Sequence, residues 1–268
     1  TDGSTAGTVM VKDISPPNTH SKPINFASYP DGVIFQAEGS TGGKELWKSD
    51  GPAAGTVMIK DINPTGHSNP SFITTKLGAQ AAYFRANDGK TGNELWKTDG
   101  TAAGTILVKD VFPGKSAGGV NSLTRCGDKL YFRAGDGKVG QELWMSDGTK
   151  AGTKLVKDIR KGKPSSHPQN MTLVGSTVYF TAEIPLFGRE LYKSDGSKGP
   201  GTSLVANINP GKEGSNPNHL TDVNGTLMFV AEPPNAGIEL WKSDGTATGT
   251  ALVKDIRSGS SSSSPSYI

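Results

Sequence analysis

Among 268 residues there is one cysteine, Cys126, so no intrachain disulfide can form and the fold must rest on packing. A lone cysteine of this kind is more often a small buried hydrophobe than a nucleophile. Apolar residues are scarce at 33%, and the longest apolar runs are far too short for a membrane-spanning helix or a signal peptide. Helical periodicity is missing as well: no stretch of about twelve residues keeps a 3.6-residue apolar period free of Gly and Pro. Charge of one sign is also lacking. Twenty-eight basic residues against 25 acidic ones leave a formal +3, interleaved along the chain. That balance implies a solvated mixed surface and argues against nucleic acid, which needs a clustered basic face. No G-x-S-x-G, Walker or HExxH pattern occurs, and His20, His67, His167 and His219 are not at zinc spacing. The expectation is a protein that is not an enzyme, uses no cofactor and does not insert into a membrane.

What the sequence has in abundance is glycine, 36 residues, and proline, 17, a profile of many short strands joined by tight turns. It also has a repeat. Asp-Gly recurs at Asp2, Asp50, Asp99, Asp147, Asp195 and Asp244, a spacing of 48 or 49 residues. Glu-Leu-aromatic falls at Glu45, Glu94, Glu142, Glu190 and Glu239. Gly-Thr falls at Gly7, Gly55, Gly104, Gly152, Gly201 and Gly249, and each pair opens an apolar run ending in Lys-Asp-Ile or a variant, as in Val9 to Ile14. The fifth run, Val205-Ala206-Asn207-Ile208, loses both charges.

The repeated Glu-Leu-Trp-x-x-Asp-Gly-Thr string resembles the bacterial ELWxxDGT repeat proteins, over essentially the whole chain. That family carries no established activity. The resemblance implies an extracellular or cell-surface location and says nothing about chemistry.

Each unit reads as four strands: the Gly-Thr run, expected as an inner strand; a short second strand; a third such as Ala82-Tyr83-Phe84; and a fourth, Glu-Leu-Trp-Lys. In all five copies Glu lies ten residues beyond the Phe of strand three, so the hairpin register is set. A four-stranded unit cannot bury both faces alone, and stacked twisted sheets predict an all-β propeller, with an open β-solenoid as the rival. Counted this way, residues 1–268 form one propeller domain with repeats starting near 2, 50, 99, 147, 195 and 244. Five units are complete and a sixth, Ser243 to Ile268, is half present. The missing initial Met and the truncated ends suggest a piece of something longer, and favour six or more blades over a closed five-bladed ring.

The repeated residues are read as scaffold. Trp47, Trp96, Trp144 and Trp241, with Tyr192 in the fifth copy, are expected between neighbouring sheets, each burying about 2–3 kcal/mol of apolar surface, rather than as sugar-stacking platforms. The Glu before Leu-Trp suits backbone N–H acceptance, and Asp50, Asp99, Asp147, Asp195 and Asp244 suit Asx-type turns. If the Gly-Thr strand lined the axis, Asp13, Asp61, Asp110, Asp158 and Asp255 could ring a cation such as calcium or magnesium. The neighbouring lysines and Asn207 argue against that. Binding is expected instead on the variable loops after that strand, where His20, His67, Asn69, His167 and Asn216 are the candidate ligand-binding residues. Two functions follow: a lectin-like recognition module for glycans or surface polymers, or a structural and adhesive scaffold with no small ligand.

Overall fold

A computed structural model describes residues 3–15, 20–75, 81–114 and 119–266. Asp2 and the turn at Gly78 lie outside the described residues, as do parts of the loops Pro16 to Lys22 and Gly114 to Gly119. Among the described residues there is no helix. Two compact units are present, Thr1–Leu123 and Thr124–Ile268.

The strands form five four-stranded antiparallel sheets, each in chain order. The first holds β1 (Ile24–Tyr29), β2 (Gly32–Glu38), β3 (Lys44–Ser49) and β4 (Val57–Lys60). The second holds β5 (Ser71–Thr75), β6 (Ala82–Asn87), β7 (Asn93–Thr98) and β8 (Ile106–Lys109). The third holds β9 (Asn121–Cys126), β10 (Lys129–Ala134), β11 (Glu142–Ser146) and β12 (Lys154–Lys157). In the fourth are β13 (Gln169–Val174), β14 (Thr177–Ile184), β15 (Gly188–Ser194) and β16 (Thr202–Ala206). In the fifth are β17 (Asn218–Val223), β18 (Thr226–Ala231), β19 (Glu239–Ser243) and β20 (Ala251–Lys254).

The sheets are out of phase with the sequence repeat by one strand. The Gly-Thr run does not open a sheet as an inner strand; it closes the preceding one, as an edge strand paired with Glu-Leu-Trp-Lys. Residues 251–254, expected to belong to a half unit, therefore complete the fifth sheet. The copy at Val9–Ile14 forms no strand, and Val9 and Met10 are 69% and 79% exposed. The physical reason is pairing. Each other copy bonds to the Glu-Leu-aromatic strand before it, and Val9–Ile14 has no such pairing among the described residues.

Register is the same in every central hairpin: Phe35 faces Trp47, Phe84 Trp96, Phe132 Trp144, Phe180 Tyr192 and Phe229 Trp241. One face of each sheet thus carries the Phe-aromatic pair, while Leu of Glu-Leu-aromatic points to the other, and within each unit the two kinds of face meet between neighbours. In the first unit Ile34, Leu46 and Ile59 of one sheet pack on Phe84, Ala86 and Trp96 of the next. In the second unit Leu143 and Val156 meet Phe180 and Tyr192, and Leu191 and Val205 meet Phe229 and Ala231. Such stacking seals the faces that a lone sheet would leave in water.

Candidate functional site

The repeated glutamates are fully buried and bound to backbone. Glu45 Oε2 accepts the Ile62 N–H at 2.8 Å and the Ser68 hydroxyl at 2.6 Å, while Oε1 accepts the Ser68 N–H at 3.0 Å. Glu142 repeats this with Ile159 and Ser166, Glu190 with Ile208, Asn209 and Ser215, and Glu239 with Ile256 and Ser263. Glu94 accepts the Val111 and Phe112 N–H groups. Burial pushes Glu45, Glu142 and Glu190 above the ordinary carboxylate range, opposed by the serine hydroxyl and amide donors. It pushes Glu94 furthest, to about 7, with Val111 and Phe112 opposing. At Glu239 burial also pushes upward, but the donors led by the Ser263 hydroxyl hold the carboxyl below its usual value.

The Asp-Gly-Thr residues close turns. Asp99 Oδ1 accepts the Thr101 hydroxyl at 2.7 Å and its N–H at 2.9 Å, which holds the carboxyl below its ordinary range. Asp147 and Asp244 do the same with Thr149 and Thr246, and Asp195 accepts the Ser197 N–H. Asp50 is followed by Pro52 where the others have Thr or Ser. The glycine of Gly-Thr is needed for space: a Cβ on Gly104 would stand 2.0 Å from Asp99 Oδ1. Trp47, Trp96, Trp144 and Tyr192 are buried and Trp241 is partly so, with ring faces against neighbouring strands rather than water.

The lysine of Lys-Asp-Ile ties sheets together. Lys12 Nζ donates to the Thr56 carbonyl, Lys60 to Thr105 and Lys157 to Thr202. Asp61, Asp110, Asp158 and Asp255 follow edge strands, whereas adjoining sheets approach through their first strands, β1 beside β5 and β13 beside β17. Asp13 follows the unpaired segment. Among the described residues no three His, Cys, Asp or Glu side chains come together as a metal site.

The candidate ligand-binding residues divide into three groups. Asn69, His167 and Asn216 occupy equivalent positions in a Ser-x-Pro turn before the first strand, with φ of +46°, +46° and +49°. Lys22, Gly119 and Ser264 take the same left-handed conformation in the other copies, so recurrence here reports backbone shape. His67 Nδ1 accepts the Lys44 N–H at 3.0 Å and so helps hold the same turn. His20 is exposed.

One cavity lies in each unit, and only that of the second is lined by a residue of the Ser-x-Pro turns. In the first unit about 560 Å³ is enclosed by Tyr29, Asp31, Lys48, Asp50, Asp99 and Thr101 among others. Most of that lining belongs to the repeated turn, and Lys48 Nζ is spent on the Gly100 carbonyl. The second unit holds a cleft of about 390 Å³ built mainly from side chains that do not repeat: Arg160, Glu183, Ile184, Pro185, Arg189, Lys212, Glu213 and Asn216. Arg189 donates to Glu183 at 2.9 Å and to the His167 carbonyl at 3.0 Å, and its own carbonyl accepts the Asn216 N–H at 3.1 Å, joining two of the candidate turns. Arg160 donates to the Ser165 carbonyl. Burial draws His167 below its ordinary pKa; Glu183 opposes, and Arg133, Arg189 and Arg160 add to the depression. Of the five candidates the structure places Asn216 in the lining of this cleft and His167 behind it, through its carbonyl on Arg189; His20, His67 and Asn69 are not part of the lining. The arginines and Lys212 were not among the candidates. Their signal was departure from the repeat: Arg189 stands where other copies have Lys44, Asn93, Gln141 and Ile238.

No protein-family model matches this chain, and no curated protein matches it. Solved structures do. The chain is similar to puromycin hydrolase, with a TM-score of 0.52, 12% identity, and 87% of this chain covering 40% of that one. It is also similar to prolyl oligopeptidase B from Galerina marginata, with a TM-score of 0.51, 13% identity, and 84% of this chain covering 32% of that one. The chain thus spans well under half the length of these structures, and at such identity the likeness is one of fold. The matching parts are β-propeller domains of prolyl oligopeptidase type. The class defined by fold and repeat is a β-propeller-like, tandem-repeat all-β protein.

Proposed function

We propose that this chain is a non-enzymatic, extracellular recognition module that binds a saccharide in the cleft of its second unit. The observation that carries the reading is the division of labour among side chains. Glu, Trp and Asp of the repeat are buried or committed to turns, whereas the cleft is built from residues peculiar to its own copies. Variable side chains on a rigid repeated frame are where binding specificity resides. Ile184 and Pro185 provide an apolar wall for a sugar C–H face, and Asn216 with the cationic groups provides polar contacts. Leu186, at the tip of the same hairpin, is 67% exposed. The extracellular location rests on the resemblance of the repeat. The hydrolases named above lend their fold only, and the repeated glutamates here are bound to backbone donors, out of reach of a substrate.

A structural or adhesive scaffold is the second reading, favoured by the burial of four of the five repeated aromatics and the partial burial of Trp241. A glycan array probed with the intact chain separates the two. Binding to one saccharide class, weakened by changes in the cleft, supports recognition; silence across the array supports the scaffold.

A further inference from the structure

Arg133, on β10, is a half-buried guanidinium whose Nε has no hydrogen-bond partner among the described residues. Burial, followed by repulsion from another cation, Arg189, lowers its pKa. Arg85, the equivalent residue one repeat earlier, also has an unpartnered Nε, but its guanidinium donates to Asn121 and lies 5.0 Å over the Phe72 ring. A partly desolvated guanidinium beside a second one is costly unless an anion joins them.

The cleft beside it supplies more positive charge. Arg160, Arg189 and Lys212 line it against two carboxylates, of which Glu183 is already bound to Arg189. Glu213 and Lys212, consecutive in the chain, are both exposed and both line the cleft. Arg133, Arg160 and Arg189 all act electrostatically on His167, and two of the three, Arg160 and Arg189, line the cleft. Arg189 is occupied by Glu183 and by the His167 carbonyl, which fixes its position and leaves Arg160 and Lys212 as the cleft's other cations to meet a ligand.

We propose that this cleft takes an acidic saccharide, with its carboxylate or sulfate ester held by Arg160 and Lys212 in the positive field to which Arg133 adds, and its ring against Ile184 and Pro185. The proposal rests on the saccharide reading above and adds the charge of the ligand. A planar guanidinium suits either oxyanion.

The test is calorimetric titration of the full chain with three probes: an oligogalacturonate for carboxylate, dextran sulfate for sulfate, and neutral dextran. The variants are the double substitution Arg160→Gln with Lys212→Gln, Arg133→Met, Glu213→Gln, and Lys90→Gln as an exposed control in the other unit. We expect one or both acidic probes to bind and neutral dextran not to. The double substitution should weaken binding about tenfold or more, Arg133→Met should weaken it, Glu213→Gln should tighten it several-fold, and Lys90→Gln should leave it unchanged. Which acidic probe binds identifies the oxyanion. Equal losses in the double variant and in Lys90→Gln would mean diffuse attraction to net charge, and would overturn the proposal. A glycan array with only neutral hits would overturn it too, while leaving saccharide recognition standing. Failure of every saccharide would remove both.

Discussion

Replacing Ser166 with Ala removes one hydroxyl and little else. That hydroxyl lies 2.6 Å from Glu142 Oε2, on a carboxylate that is fully buried and otherwise held by the Ile159 and Ser166 N–H groups at 2.8 Å. A hydrogen bond to a buried charged acceptor is worth about 1.5–3 kcal/mol, and one to a neutral acceptor about 1 kcal/mol. Glu142 already titrates above its usual range because burial opposes ionisation, and loss of the hydroxyl raises it further. The cost therefore depends on pH. Where Glu142 is ionised in the folded state the variant should lose about 2–3 kcal/mol. Below the unfolded carboxyl pKa both states are protonated, and the loss should shrink to about 1 kcal/mol. Urea unfolding across that range measures the difference, and exchange of the Ile159 amide shows whether the damage is local. A cost that is flat with pH, or absent, would refute the claim that serine steadies a buried charge.

Glu94 carries the complementary prediction. Its folded pKa of about 7 lies above the unfolded value of 4.5, so its contribution is full below 4.5 and is lost as pH rises toward 7. Glu94→Gln should abolish that slope in the urea midpoint; an unchanged slope would mean that the carboxyl is not the source. Trp96→Ala should cost about 3–5 kcal/mol of stability, because the indole fills the seam between two sheets. A stable Trp96→Ala protein that lost only ligand affinity would make the indole a binding surface.

The hairpins were legible because their determinants are local. The constant ten-residue step from Phe84 to Glu94 and its equivalents sets which residues face each other. Asp-Gly-Thr is equally local, since Asp99 bonds a residue two places on. The phase of the sheets was hidden, because in a cyclic pattern any of the four strands can be taken as the first. What decides is the pairing of Val57–Lys60 with the strand before it, and composition does not reveal pairing. The turn at Asn69, His167 and Asn216 was also obscure. Its constant element is a left-handed backbone, and Lys22 and Ser264 satisfy it as well as Asn does. The cleft was least visible, since Arg160, Arg189 and Lys212 come from three separate segments and share no motif.

The offset between repeat and sheet bears on how such a protein can change in length. Every sheet borrows its closing strand from the next period, so successive periods are covalently interlocked. An insertion or loss of one 48- or 49-residue period, wherever the joints fall, leaves each Phe opposite its aromatic and each buried carboxylate within reach of its amides. Growth by duplication then needs no new junction. The cleft of the second unit, made from departures in two neighbouring periods, is the part that duplication of a single period would not copy whole.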